Sequence, residues 1–381
     1  MNRADFEAIF GADPFGLDLD RWPEDGPVAW PGQYKEQKTE IAWQAWLAAH
    51  HAKPQGRALQ GDYGPYQAYH GRNCKIYWGD ARAALRGLPR GCISACITSP
   101  PYYQQRDYGD PGQIGQEPSL YQYVEALQDV FAYVAQALHP TGTLWLNLGD
   151  KYIDGKLAGA PWAVAEALVA DGWQLLQEII WHKPNAMPRP AQGRCSLSHE
   201  TLFLFRRPGP WHYFDGYPIR EPRAAGDGTK ERRTVWSVPT QPGKAGQHFA
   251  PWPTELARMC VEAATPPTIC SKCGTPITRE VDLVPVMRDR PNKLTKRTGE
   301  KGTGNVCPND VAGVDAISTG WKTGCDCGAP GHPPVILDPF CGTGTTGVVA
   351  LQHSRRFMGC EISAEYFDAC VQRFKPTGFV T

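Results

Sequence analysis

The chain has no surplus of charge. Its 381 residues carry 39 Lys and Arg against 39 Asp and Glu, a formal net charge of zero, which argues against a protein that coats nucleic acid over its whole surface. Long apolar runs are missing too: none approaches the roughly 18 residues that a membrane-crossing helix needs. The first residues show no basic-then-apolar signal pattern, and no segment repeats another. What the chain does have is thirteen cysteines, an odd number scattered through apolar runs rather than framing a small secreted scaffold. That distribution predicts a reducing, cytoplasmic setting. A composition of 41% hydrophobic and 20% charged residues is that of an ordinary soluble globular protein.

The charge is balanced in sum but not in place. Residues 1–70 hold 6 Lys/Arg against 10 Asp/Glu, and residues 181–233 hold 10 against 5. A local basic face suffices to meet phosphates, although the same counts describe a solvated surface.

Residues 1–70 are rich in turns, with a helix expected only over Thr39–Ala52. Strand and helix patterns then alternate. Lys75–Trp78 and Ile93–Thr98 read as strands, and Leu120–Leu138 as a helix with apolar residues every three or four positions. Thr143–Leu148 and Leu175–Trp181 read as strands, followed by a pair over Glu200–Phe205 and Trp211–Phe214. From Pro208 to Gly246 the pattern gives way to Pro, Gly and Arg. Thr254–Ala264 reads as a helix, residues 265–334 interrupt the pattern again, and strand–helix–strand–helix closes the chain. Such alternation predicts an α/β fold with a mainly parallel twisted sheet, helices on both faces and loop-rich insertions. Ligands of such a sheet bind beyond the carboxyl ends of its strands.

Two motifs stand at such ends. Val335–Asp338 runs into Pro339-Phe340-Cys341-Gly342-Thr343-Gly344-Thr345-Thr346, a buried strand turning through glycines into a helix, which suits a nucleoside. Glu361 follows at the distance where a carboxylate accepts ribose hydroxyls, about 20 residues on. The Gly-Lys-Ser/Thr ending of a phosphate-binding loop is absent. The other motif, Thr98-Ser99-Pro100-Pro101-Tyr102, is a stiff polar and aromatic corner after an apolar strand.

Together these motifs resemble the amino-methylating DNA methyltransferases, and the corner's place ahead of the glycine loop resembles their permuted, beta class. The likeness extends over residues 75–376, through Arg106–Gly109, Gly112–Gly115, Leu146–Asp150, Ile180–Asn185, His199-Glu200, Val235–Val238 and His248–Pro253. It implies a Rossmann-like methyltransferase fold, S-adenosylmethionine as cofactor, double-stranded DNA as partner, and room for a cognate restriction enzyme. Oligomeric state stays open. The implied cofactor residues are Asp80, Ala81, Thr98, Asp338, Pro339, Phe340, Gly342, Thr343, Gly344, Thr345 and Glu361. Asp80 also reads as a helix N-cap.

The resemblance further implies that Ser99 Oγ and the Pro100 carbonyl accept hydrogen bonds from the exocyclic amine of a flipped base. Pro101 would stiffen the corner and Tyr102 would stack on the base. No covalent intermediate is needed, and Cys341 reads as packing. Serine in the first position implies cytosine N4, where the family's adenine methylases mostly carry Asp or Asn. Adenine N6 on the same scaffold, or an inactive zinc-ribbon DNA-binding protein, are the alternatives.

Cys270-Ser271-Lys272-Cys273-Gly274 is a knuckle, and Cys325-Asp326-Cys327 is a tighter pair, with 51 residues between the two pairs. Four thiolates would hold a structural zinc, with Cys307 and His332 as substitutes and free thiols as the alternative. The expected divisions are an N-terminal appendage (1–70), a catalytic half (71–184), a target-recognition insertion (185–247), a core helix (248–264), a zinc-binding insert (265–334) and a cofactor-binding half (335–381).

Overall fold

The computed structural model describes residues 66–187, 193–223, 228–241, 252–287 and 311–375. The helix expected over Thr39–Ala52, the first four residues of the motif His248–Pro253, the basic stretch Arg288–Lys301 and Cys307 lie outside these residues.

The apolar runs become strands β1 (Gln67–His70), β2 (Cys74–Trp78), β3 (Ile93–Thr98), β4 (Leu138–Leu148), β5 (Gln174–His182), β6 (His199–Arg206) and β7 (Val235–Ser237). A ribbon of β8 (Thr278–Met287) and β9 (Val311–Lys322) stands apart, before β10 (Val335–Asp338) and β11 (Arg356–Glu361). Among the described residues the helices are α1 (Ala81–Arg86), α2 (Leu120–Ala137), α3 (Ala160–Ala170), α4 (Thr254–Ala264), α5 (Thr345–Gln352) and α6 (Ala364–Phe374).

Nine strands form one sheet in the order β1-β2-β11-β10-β3-β4-β6-β5-β7. From β2 to β4 every neighbouring pair is parallel, while β6 runs against both β4 and β5. Side chains alternate across β3 and β4. Cys96, Leu144 and Leu146 enter the core shared with α1, α2 and α3, and Ala95, Ile97 and Trp145 enter the core shared with α4, α5 and α6. Helix α2 buries Tyr123, Leu127, Val130, Phe131 and Val134, which its three- and four-residue spacing places on one stripe.

From β3 the chain crosses to β4 on one side; from β10 it crosses to β11 on the other. The crevice between β3 and β10 is therefore a topological switch point, where open α/β sheets take their ligands. Both motifs leave from its two strands.

Three expectations need correction. Trp211–Phe214 is not a strand: Tyr213 N donates to Thr141 O, and Phe214 stacks on buried Trp145 with centroids 6.2 Å apart, so these aromatics cover the sheet. The loop after Pro208 is not wholly irregular, because Val235–Ser237 pairs with β5 and buries Trp236. The cysteine-bounded insert is built on the β8–β9 ribbon, paired from Thr278–Lys322 to Met287–Val311.

Candidate active site and metal centre

Asp338 ends β10 and is buried. Its Oδ1 accepts from Thr98 Oγ1 (2.6 Å) and Phe340 N (3.2 Å), and its Oδ2 from Thr346 Oγ1 (2.7 Å). One carboxylate thus ties the end of β3, the end of β10 and the first turn of α5 together. Burial pushes it up to about 6 against the pull of those donors. The turn beyond it needs left-handed backbone at Gly342 (φ 53°) and Gly344 (φ 82°). A Cβ on Gly344 would stand 2.6 Å from Cys370 Sγ, so α5 packs closely on α6 there, whereas a Cβ on Gly342 would meet nothing within 4 Å.

Glu361 ends β11. Its Oε2 accepts from Gly342 N and its Oε1 from Ser363 N, both at 2.8 Å. Burial raises it to about 7. Asp80 caps α1 by accepting from Arg82 N at 2.7 Å, and the Arg82 guanidinium pairs with it at 2.5 Å. The capping role of Asp80 is thus present in the fold.

The Ser99–Tyr102 corner follows β3. Tyr123 of α2 donates its hydroxyl to Pro101 O at 2.9 Å, and the Tyr102 ring lies against Gly149, where a Cβ would come within 2.6 Å of Tyr102 Cε2. Ser99 Oγ is 2.9 Å from the Tyr102 hydroxyl, which donates to Glu200 Oε2 at 2.6 Å. Asn147 Nδ2 donates to the Tyr102 hydroxyl and to Glu200 Oε2, both at 2.7 Å, and Lys183 Nζ closes on Glu200 Oε1. Burial pushes the Tyr102 phenol well up, with the Glu200 charge adding to it.

Corner and loop open on one cleft of about 450 Å³. Ser99, Pro100, Pro101, Tyr102, Asp338, Pro339, Phe340, Gly342, Thr343 and Thr345 line it, as do Asp80, Ala81 and Glu361; Thr98 and Gly344 do not. Thr98 is fully buried and acts through Asp338, and Gly344 acts through the packing of α5. The cleft is also lined by Arg106, Tyr108, Trp181, Lys183, Glu200 and Trp252, and Asn147 braces it from β4. Arg106 and Tyr108 belong to a run that the resemblance lets face the flipped base or DNA, whereas Trp181, Lys183, Glu200, Trp252 and Asn147 carry no expectation of their own beyond lying in the runs that carry the resemblance. The usable signal was a polar residue inside an apolar strand: Asn147 is fully buried. Glu200 was harder to see. It lies at the amino end of β6, and only the reversal of that strand brings this end to the carboxyl ends of the others. His199, its neighbour, is exposed and absent from the cleft lining.

The thiols of Cys270, Cys273, Cys325 and Cys327 lie within 4.8 Å of one another. Gly274 turns the knuckle in left-handed backbone (φ 72°), and its N–H donates to Cys270 O. Ile269–Cys270 pairs with Gly331–His332 and so brings the far end of the insert back. His332 is outside the cluster and bonds Pro333 O. His139, at the start of β4, holds Cys273 O at 3.2 Å, seating the knuckle on the sheet.

The basic residues of the 185–247 region are used unevenly. The guanidinium of Arg207 lies 5.3 Å from the Trp173 ring, Arg220 bonds Thr229 O, and Arg232 donates to Ile219 O. Arg233 pairs with Glu221 at 2.6 Å, yet its side chain is 76% exposed. Arg194 is exposed and stacks over Tyr152 at 3.9 Å.

A DNA methylase family profile, for the N6/N4 amino-methyltransferases, matches residues 93–270 and 334–372. The type II methyltransferase M.Cfr9I of Citrobacter freundii is 33% identical over 329 residues, 79% of this chain and 87% of its own. M.SmaI of Serratia marcescens is 33% identical over 332 residues, 79% of this chain and 91% of its own. A solved PvuII DNA methyltransferase, described as cytosine-N4-specific, shares the fold with a TM-score of 0.54 at 18% identity, covering 82% of this chain and 90% of that one. Among the described residues no helix is long and apolar enough to cross a membrane. Profile, near-full-length relatives and motif order converge, and the chain belongs to the N6/N4 DNA methylase family as a beta-class, S-adenosylmethionine-dependent amino-methyltransferase.

Proposed function

We propose that this enzyme methylates the exocyclic N4 of a cytosine flipped out of double-stranded DNA at a specific site. The observation that carries the reading is the 2.6 Å bond from Thr98 to Asp338. It fixes the mouth of the Ser-Pro-Pro-Tyr corner beside the mouth of the glycine loop, so that amine and methyl donor meet in one cleft.

S-adenosylmethionine, when bound, supplies a methyl group on a sulfonium sulfur. The residues suit it: Glu361 keeps lone pairs for the ribose hydroxyls, and the open side of Gly342 lets the ligand approach the backbone. Asp80 and Ala81 would border the adenine. Asp338, Pro339, Phe340, Thr343 and Thr345 would shape the loop, with Thr98 and Gly344 holding it from behind. Ser99 Oγ and the Pro100 carbonyl accept from the target amine and draw its lone pair out of conjugation with the ring. Tyr102 stacks on the base, and the rigid corner keeps the acceptors aimed without reorganisation. Serine rather than Asp or Asn at this position supports cytosine.

Zinc at the four cysteines belongs to the same reading. Tetrahedral thiolate ligation with Zn–S near 2.3 Å requires sulfurs roughly 4 Å apart, and the cluster has that compactness. Target recognition is assigned to residues 185–247, of which Glu200 and Thr240 line the cleft. A companion restriction enzyme fits the type II relatives, and a cytoplasmic site fits twelve described cysteines that are all free.

Sequencing of DNA from a methylation-free host expressing the protein, with modified-base detection, tests the assignment. N4-methylcytosine in one sequence context is expected; N6-methyladenine would overturn the cytosine assignment, and unmodified DNA would overturn the activity.

A further inference from the structure

The hydrogen bonds around Tyr102 have a direction. Glu200 accepts from Tyr102, from Asn147 and from Lys183, and an ionised carboxylate has no proton to give. The 2.6 Å contact therefore uses the single proton of Tyr102. Asn147 must present its amide nitrogen here, because its oxygen would face a second acceptor in the carboxylate. With the phenol proton committed to Glu200, the 2.9 Å contact between Ser99 and Tyr102 can exist only if the serine donates. The serine then keeps a lone pair for the cleft, while the Asn147 amide touches it at 3.4 Å.

We infer that Glu200 is a positioning residue that sets the polarity of the chain Ser99–Tyr102–Glu200, so that the serine meets the target amine as an acceptor and the chain removes the amine's surplus proton. The inference rests on the reading of Ser99 as the amine acceptor. Methyl transfer forms a nitrogen–carbon bond and breaks the carbon–sulfur bond, whose electron pair stays on sulfur. The nitrogen is left with one proton too many. That proton passes to Ser99 Oγ as the serine proton passes to Tyr102 and the tyrosine proton to Glu200, which ends neutral. Glu200 returns it to water, since its side chain is 13% exposed. Lys183 pairs with the other carboxylate oxygen.

Nothing in this chain is replaced by shape alone. Glu200→Gln has the same size but can donate to Tyr102, which lets the chain reverse and turn the serine proton toward the amine. The expected result is a kcat lower by roughly two orders of magnitude, in the range of general acid–base contributions. KM for DNA, calorimetric affinity for S-adenosylmethionine and melting temperature should hardly move. Tyr102→Phe keeps the ring and removes the link, and the double variant should be no slower than the slower single one, because both interrupt one path.

A Glu200→Gln enzyme within threefold of wild-type kcat overturns the inference. So do losses that multiply in the double variant, or a loss accompanied by weakened cofactor binding and a lower melting temperature, which marks a structural role. Ser99→Ala separates the two levels: if it is inactive while Glu200→Gln is active, only the polarity argument fails. If Ser99→Ala is itself active, the active-site reading fails and the inference with it.

Discussion

At the scale of single residues, the corner depends as much on an absent side chain as on those present. Gly149 leaves room for the Tyr102 ring, and a methyl group there would stand 2.6 Å from its Cε2 and 3.4 Å from the Glu200 carboxyl. Gly149→Ala should therefore displace the ring and cut methyl transfer by about a hundredfold, as loss of a positioned group typically does. Calorimetric affinity for S-adenosylmethionine should stay unchanged, since the glycine loop is not touched. Glu361 yields a pH signature. Burial raises it to about 7, so it is largely protonated at pH 6 and largely ionised at pH 8. An ionised carboxylate accepts from hydroxyls more strongly, and cofactor affinity should rise with pH across that window; Glu361→Gln should flatten the titration. Folding runs the other way. With the folded value above the unfolded one, this group's stabilising contribution is complete below the usual carboxylate range and is lost as pH rises through about 7.

At the scale of elements, legibility followed how locally each element is determined. Helix α2 was plain because its stripe is set by its own spacing. The β10–α5–β11 unit was plain because a buried strand, a glycine turn and a carboxylate at fixed spacing form one local signal. The β8–β9 ribbon was not. Leu283 and Ile317 are 72% and 52% exposed, so among the described residues no second layer imposes an inside–outside alternation, and Pro285 and Gly320 interrupt the sequence pattern further. Trp211–Phe214 misled in the opposite sense, as aromatic spacing typical of a strand that here serves to cover Trp145. Asn147 and Glu200 needed the sheet topology before they could meet Tyr102. The ribbon is anchored at its base by the cysteine cluster and by Arg279, which bonds Asp215 Oδ2 at 2.9 Å and lies 4.2 Å from the Trp321 ring. A ribbon without its own core depends on such anchors. Protein purified without chelator should carry about one zinc per chain, measured by atomic emission. Cys325→Ser should lose the metal and open residues 265–334 to protease while leaving the nine-stranded core folded; a metal-free wild-type protein with an intact ribbon would reduce the cluster to thiols.

At the scale of the whole molecule, a chain with zero net charge must bind a polyanion through local patches, because its mean field neither attracts nor repels DNA. The cleft sits at the carboxyl ends of the parallel strands, and Thr240, within the segment proposed for target recognition, lines it. Within that segment the number of basic residues overstates what DNA can use. Arg207, Arg220 and Arg232 have contacts within the protein, and replacing them would test packing as much as binding. Arg194 and Arg233 keep exposed guanidinium groups, one on Tyr152 and one on Glu221. If each meets one phosphate, removing both should lessen the slope of log affinity against log salt by about 1.8, at roughly 0.9 per phosphate on duplex DNA. Fluorescence anisotropy with a cognate duplex over a range of salt concentrations reads that slope directly. Cofactor affinity and melting temperature should be unaffected in the Arg194→Ala, Arg233→Ala double variant, because neither group contributes to the core. An unchanged salt slope would move the phosphate contacts out of this segment, and the basic stretch Arg288–Lys301 in the cysteine-bounded insert is the next surface to test.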